Sequence, residues 1–205
     1  MTVLACYVRQ VRRQLGFLLV GAWLLAGCVT PPLNPLGGTP WESRRVALEA
    51  FQNWDLSGRI SVISDSKGWH ASLRWKQTAQ GYTIDIRNPL GQIVARIQGD
   101  GSGVQVRTSD GRLLSASDPD DLVEEAIGLR IPVSGLRYWV KGLPDPTQPS
   151  VLAGDDAGRL TLLEQDGWTI EYPDYTHVAG LDLPARIRAR QDALKVQVIV
   201  GQWGA

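Results

Sequence analysis

Residues 54–62 read Trp-Asp-Leu-Ser-Gly-Arg-Ile-Ser-Val, and residues 69–76 read Trp-His-Ala-Ser-Leu-Arg-Trp-Lys. In the first stretch Trp54, Leu56, Gly58, Ile60 and Val62 alternate with Asp55, Ser57, Arg59 and Ser61. In the second, Trp69, Ala71, Leu73 and Trp75 alternate with His70, Ser72, Arg74 and Lys76. A side-chain period of two belongs to the β-strand, whose successive residues point to opposite faces. One apolar face and one wet face per strand mark antiparallel sheet, because parallel strands are covered on both sides. Asp65-Ser66-Lys67-Gly68 between the two stretches supplies turn chemistry.

The same pattern runs outward from this pair. Tyr82, Ile84 and Ile86 alternate with Thr83, Asp85 and Arg87. Ile93, Ala95 and Ile97 alternate with Arg96 and Gln98, with Val94 as the exception. Val104 and Val106 follow, then a short Arg112 to Ser115. Near the end, Leu160 to Leu163, then Trp168, Ile170 and Tyr172, then Leu183, Ala185, Ile187 and Ala189, then Leu194, Val196, Val198 and Val200 repeat it. Connections such as Ala79-Gln80-Gly81, Gly99-Asp100-Gly101, Asp110-Gly111 and Asp166-Gly167 are short. Short turns join sequential neighbours, so the expected topology is an up-and-down meander of nine or more strands that must curl.

Two interruptions predict helices. Trp41 to Asn53 carries Val46, Ala47, Ala50, Phe51 and Trp54 at helical spacing, with Thr39 as a candidate cap and Pro40 in the first turn. Ser117-Asp118-Pro119 starts a second helix whose Leu122, Val123, Ala126 and Ile127 form a stripe, and Gly128 weakens its end. Ser134 to Gly142 forms a third, carrying Leu136, Tyr138, Trp139 and Val140, and residues 145–158 read as a loop. With both of the later helices in mid-chain, they are free to cover the concave side of the sheet.

The first 28 residues read as a lipoprotein leader. Arg9, Arg12 and Arg13 precede the uncharged run Leu15 to Leu25, which is too short for the ~20 residues a membrane span needs. Leu25-Ala26-Gly27-Cys28 then resembles the bacterial lipobox, which implies cleavage before Cys28 and acylation of its thiol. Residues 1–27 are thus expected to be removed and 28–40, with four prolines and two glycines, to form a tether. Residues 41–205 would form one domain. Val29 and Thr30 after the cysteine favour export to the outer membrane. Cys6 leaves with the leader, so no disulfide is expected in the mature chain.

Composition is that of an ordinary globular domain, 43% hydrophobic and 20% charged over 205 residues. Loss of the leader removes three of 21 basic side chains and none of the 21 acidic ones, leaving a formal charge of −3. Such a chain has no long-range pull toward nucleic acid or anionic lipid, so membrane contact is expected to be hydrophobic or covalent. Catalysis finds little support. His70 and His177 are far apart and in no metal-ligand spacing, no nucleophile elbow occurs, and Asp155-Asp156 lacks the further oxygen ligands of a cation loop. No enzyme activity, cofactor or metal is expected.

Alternation alone leaves two uses for the apolar face, a filled core or a cavity for acyl chains. A separate feature is Asn88-Pro89-Leu90-Gly91, a turn with a large aliphatic residue at its tip, where burial worth about 1.5–3 kcal/mol is forgone unless Leu90 folds back onto the sheet.

These residues resemble the outer-membrane lipoprotein receptor LolB family. The resemblance rests on Leu56-Ser57-Gly58-Arg59-Ile60-Ser61-Val62, on Leu73-Arg74-Trp75, on Asn88-Pro89-Leu90-Gly91, and on the stretch from Ile131 to Pro144. It implies a mainly-β fold: an incompletely closed antiparallel barrel with helices over its opening and an acyl-chain cavity between them. By the same resemblance, lipoproteins arrive from the periplasmic carrier LolA, Pro89, Leu90 and Gly91 form a membrane-insertion loop, and the chain acts as a monomer. Residues expected to line the cavity are Leu56, Ile60 and Val62, then Trp69, Leu73 and Trp75, then Ile84, Ile86 and Ile93. Leu136 and Trp139 from the helices and Val196 and Val198 from the last strand complete it. Three acyl chains hold roughly 40 methylenes, about 30 kcal/mol of transfer free energy, so release into water is out of reach and direct handover is required. The alternative is an assembly lipoprotein that grips a protein partner through its sheet.

Overall fold

The computed structural model describes residues 37–64, 67–128 and 131–204. The expected leader, Cys28 and the expected tether as far as residue 36 lie outside the described residues. Helix α1 spans Thr39–Ala50. Strands β1 (Trp54–Ser64), β2 (Lys67–Gln77), β3 (Gly81–Arg87), β4 (Ile93–Asp100), β5 (Gly103–Thr108) and β6 (Leu113–Ala116) follow. Helices α2 (Pro119–Ile127) and α3 (Val133–Trp139) come next. The chain ends with β7 (Ser150–Gly154), β8 (Leu160–Gln165), β9 (Trp168–Val178), β10 (Leu181–Gln191) and β11 (Leu194–Gly204).

All eleven strands join one sheet in the order β6-β5-β4-β3-β2-β1-β11-β10-β9-β8-β7. Every pairing is antiparallel, and β1 against β11 is the one that does not join sequential neighbours. The first and last strands thus meet in the centre, while β6 and β7, adjacent along the chain, become the two edges. The sheet is open there, and residues 117–149 with α2 and α3 connect the edges. An incompletely closed antiparallel sheet with helices at its opening is what the sequence predicts.

Alternation sets which face is buried. Trp54, Leu56, Ile60 and Val62 on β1 are buried, and so are Ala71, Leu73 and Trp75 on β2 and Val196, Val198 and Trp203 on β11. These belong to the same cluster as Val104 and Val106 on one wing and Leu160 and Leu163 on the other, joined by Leu122, Val123, Leu136 and Trp139 of the helices. A single cluster fed from both wings requires the sheet to bend around it. The whole cluster lies between Trp41 and Trp203, so the domain carries its own core.

Four expectations need correction. Helix α1 starts at Thr39, two residues into the expected tether, after Gly38 with no side-chain cap; Pro40 sits in the first turn as expected. Its buried residues are Trp41 and Leu48, whereas Val46 is exposed, because Arg44 reaches the Asp182 carbonyl and stacks 5.4 Å from the Tyr175 ring, fixing a different face inward. The 145–158 stretch contains an edge strand, β7, and β9 runs on to Val178 past the expected Tyr172.

Candidate functional site

The expected cavity residues converge on the bent face. Leu56, Ile60, Val62, Leu73, Trp75, Ile84, Ile86, Leu136, Trp139, Val196 and Val198 are all buried in the one cluster, and Trp69 is half-buried against it. Ile93 stands apart. A register shift after Ile86 leaves Val94 as the extra residue, so Ile93 lies opposite Arg87 and Val94 packs on the core in its place. One inserted residue reverses strand parity.

This face is filled in the described conformation. Cavities open at its margins: about 640 Å³ at the rim formed by Gly81, Gly99 and Gly103, about 620 Å³ on the outer face by Arg59 and Arg74, and about 420 Å³ between α3 and the β8–β9 turn. Of the expected cavity residues only Leu73 lines the second of these and Trp139 the third. The packing is nevertheless polar-deficient at one end. Trp54 contacts Trp75 and Trp203 with ring centroids 5.5 and 5.4 Å away. The indole N–H groups of Trp54 and Trp75 are buried, and among the described residues neither has a hydrogen-bond acceptor. Each orphaned donor costs about 1–3 kcal/mol. A cavity of about 240 Å³ is lined by Trp54 with Gln77, Arg137, Tyr138 and Lys141.

The helices that close the opening are held by polar contacts. Asp118 caps α2 by accepting from the Asp120 and Asp121 amides, and Gly128 ends it with φ 77°. Asp120 then accepts from the Ser134 amide at 2.9 Å and its hydroxyl at 2.5 Å, tying α2 to α3. Burial raises the Asp120 carboxyl above its ordinary value. Trp139 Nε1 donates to Gln165 Oε1 at 2.9 Å and its ring lies 6.0 Å from Trp168. Lys141 is buried, and its Nζ donates to the Leu48 and Phe51 carbonyls at 3.1 and 3.3 Å, satisfying the C-terminal end of α1. Burial lowers its pKa.

The Leu90 turn is the second component. Asn88 Oδ1 accepts from the Leu90 and Gln92 amides, both at 3.0 Å, and the Gly91 amide donates to the Asn88 carbonyl at 2.9 Å. Gly91 takes φ 83°, a conformation that favours glycine. The turn satisfies its own amides, and Leu90 is 84% exposed: its side chain does not fold back. Arg87 braces the base by donating to the Gly91 carbonyl at 3.2 Å and to Asp85 at 3.1 Å. Arg96 grips Asp85 with two bonds, at 2.6 and 2.9 Å, and holds its carboxyl below the ordinary range.

Sequence reading missed Gln165, Lys141 and Asp120 as positioning residues. Lys141 and Asp120 had no local signal, since their partners lie 93 and 14 residues away. Gln165 was visible only as a polar residue closing an apolar strand. His70 is exposed on the outer face, and His177 pairs with Asp182 at 2.9 Å in an exposed position. Asp155 spends its carboxylate on Ala157 and Arg159. Among the described residues there is no cluster of potential metal ligands, and no helix is long and apolar enough to cross a membrane.

Comparison with known proteins gives a consistent picture. The family model described as outer membrane lipoprotein LolB matches residues 52–203. The chain is 33% identical over 196 residues to an outer-membrane lipoprotein LolB of Nitrosococcus oceani, covering 93% of this chain and 96% of that one. It is 36% identical over 195 residues to the protein of the same name in Alkalilimnicola ehrlichii, covering 92% and 96%. Among solved structures, a DUF1329 family protein from Desulfovibrio piger shares the fold at TM-score 0.57 and 9% identity, over 83% of this chain and 93% of that one. A LolA superfamily protein from Nitrosomonas europaea does so at TM-score 0.52 and 8% identity, over 82% and 94%.

Proposed function

This chain belongs to the outer-membrane lipoprotein LolB family, and from that premise we propose that it receives lipoproteins by their acyl chains and passes them into the outer membrane. In this reading Cys28 carries the lipid that anchors the chain on the periplasmic side, and residues 28–38 hold the domain near the bilayer. Cargo arrives on a carrier of the LolA type, and its chains enter beneath the bent sheet. Since that space is filled in the described conformation, entry requires α2 and α3 to lift and the cluster to repack. The unpaired indole donors of Trp54 and Trp75 support the reading, because the ester and amide carbonyls of a lipoprotein anchor are the acceptors they lack. A handover between apolar sites needs only a difference in affinity, and no nucleotide.

The observation that carries the proposal is Leu90, 84% exposed on a turn whose backbone amides from Asn88 to Gln92 are all paired. A large aliphatic side chain held out by a rigid base gains burial only from an apolar phase outside the protein. The test reconstitutes the acylated chain in vesicles and supplies cargo lipoprotein on its carrier. Leu90→Glu should still accept cargo, while the amount inserted falls roughly ten- to hundredfold, the factor for one buried leucine. Insertion at the normal level would remove the role assigned to Leu90. The filled interior also suits the assembly-lipoprotein alternative. Uptake of a hydrophobic fluorescent dye, displaced by lipoprotein, separates the two readings, since a permanently closed core admits neither.

A further inference from the structure

We propose that the outer face of β1–β3 beside the Leu90 turn seats the surface of an anionic phospholipid bilayer, with Arg59, Arg74 and Arg87 as the groups that meet its phosphates. The inference rests on the reading that Leu90 enters the membrane, and it adds what the rest of that face contacts when it does. A groove of about 620 Å³ lies there, lined by Ser57, Arg59, Ser72, Arg74, Arg87 and Gly91 among others. Register places these side chains together. Arg59 is opposite Ser72, which is opposite Arg87, and one row along Ser57 is opposite Arg74. With strands about 4.8 Å apart, Arg59 and Arg87 stand roughly 10 Å apart at their Cα atoms, within common reach of one headgroup layer.

Charge on this face is one-sided. Arg96 and Arg107 continue the rows on β4 and β5, and Asp85 is the carboxylate among them, already held by Arg96 and Arg87. Asp55 stands one row further out, opposite Lys76. Among the described residues neither Arg59 nor Arg74 has a carboxylate partner. A chain whose formal charge is zero overall has therefore gathered unpaired cations on the strands that carry its protruding leucine. Arg87 joins the two features physically, since its guanidinium lines the groove and also donates to the Gly91 carbonyl. A leucine dipping into acyl chains brings the flanking surface to headgroup depth, where phosphates are the complementary partner.

The domain from Gly37 to Ala205 contains the whole core cluster and lacks Cys28, so it reports vesicle contact without an anchor. It is floated with phosphatidylcholine vesicles and with phosphatidylcholine vesicles containing phosphatidylglycerol, at low salt. The parent should favour the anionic vesicles, and Arg59→Gln with Arg74→Gln should weaken that binding by about fivefold per arginine. Arg59→Lys with Arg74→Lys should retain it, and high salt should erase the preference. The proposal is overturned if the parent shows no preference for anionic vesicles or if the Gln pair binds like the parent. It is equally overturned if inorganic phosphate at matched ionic strength displaces the domain, which assigns the groove to a free anion. Loss of cargo transfer from the carrier with flotation intact would assign the face to a protein and also overturn it. Leu90→Glu is read separately: it should lower binding to both vesicle types, and if it does not, the insertion reading fails while the arginine comparison still decides the groove.

Discussion

The two halves of the sheet treat their outward arginines differently. On β9 and β10, Arg186 lies 3.3 Å from Asp174 and Arg190 lies 2.7 Å from Glu171, and in the β7–β8 turn Arg159 lies 2.7 Å from Asp155. On β3 and β4, Arg87 and Arg96 share Asp85, but on β1, β2 and β5, Arg59, Arg74 and Arg107 face outward without a carboxylate partner among the described residues. The turns differ in the same sense. Asp166-Gly167 and Ala179-Gly180 make tight, small-residue connections with positive φ, whereas Asn88-Pro89-Leu90-Gly91 holds out a leucine. One half pairs most of its outward arginines, Arg188 excepted, and supports the helices. The other leaves charge and apolar surface unspent, which is how a surface built for contact differs from one built for stability.

Trp139→Ala should have the largest effect, because it attacks the supporting half. The substitution removes a fully buried indole, its contact with Trp168 and its bond to Gln165. The expected loss is about 3–5 kcal/mol in urea unfolding. Amide exchange should quicken over residues 133–148 well before β1–β4 respond. Uniform quickening across the sheet would mean that the helices are not held preferentially by the second half.

Gln165→Leu sharpens the same point at smaller cost. Its amide accepts from Trp139 Nε1 and the Asp145 amide and donates to the Asp145 and Gln148 carbonyls, at 2.8–3.1 Å. Leucine fills the volume but leaves those groups unpaired, so roughly 1–3 kcal/mol should be lost in the same unfolding assay. A neutral result would reduce the bond network to a packing contact.

Much of this division was legible in the sequence, and the part that was not has physical reasons. Alternation in β1–β5 needs no partner to be read, and the Leu90 tip is visible as a large aliphatic residue among turn formers. Edge strand β7 was invisible because Ser150-Val151-Leu152-Ala153-Gly154 does not alternate and buries only Ala153. The face of α1 was misjudged because Arg44 docks on Tyr175 and Asp182, partners that helical spacing alone cannot show. The bulge at Val94 depends on a pairing that one strand cannot display. Segregated charge is also a property of register: the overall balance hid it, and only adjacency of β1, β2 and β3 brings the arginines together. Whether the inward face is filled or hollow depends on how closely the wings approach, which alternation does not encode.

Asp85→Asn tests the bracing of the exposed half. Arg96 and Arg87 hold the Asp85 carboxyl below the ordinary aspartate value of 3.8. A lowered folded value means the carboxylate stabilises the fold fully above that ordinary value and loses its contribution as pH falls through the lower one. The variant should therefore be less stable by about 1 kcal/mol at neutral pH, a figure reduced by the partly exposed partner arginines, and the gap should close in acid below pH 3.8. Asp120 behaves in the opposite sense, since burial raises its folded value and its ionised form weighs against the fold. Asp120→Asn should then show its smallest penalty at neutral pH and a growing one as acid protonates the parent. A gap for Asp85→Asn that widens in acid would reverse the assigned sign.

The smallest effect separates the halves most directly. Arg190→Gln breaks an exposed pair with Glu171, for which a loss of about 0.2–1 kcal/mol is expected, shrinking as salt screens it. Arg59→Gln breaks no ion pair, so its unfolding midpoint should not fall below the parent's at any salt concentration. A guanidinium that does nothing for the folded state and still faces outward among others of like charge must either be neutral baggage or serve a contact outside the protein. Repulsion between neighbours makes the first costly, and removing one cation should if anything relieve it. If Arg59→Gln destabilises the domain as much as Arg190→Gln does, the arginines of β1 and β2 are structural like those of β10, and the difference between the halves disappears.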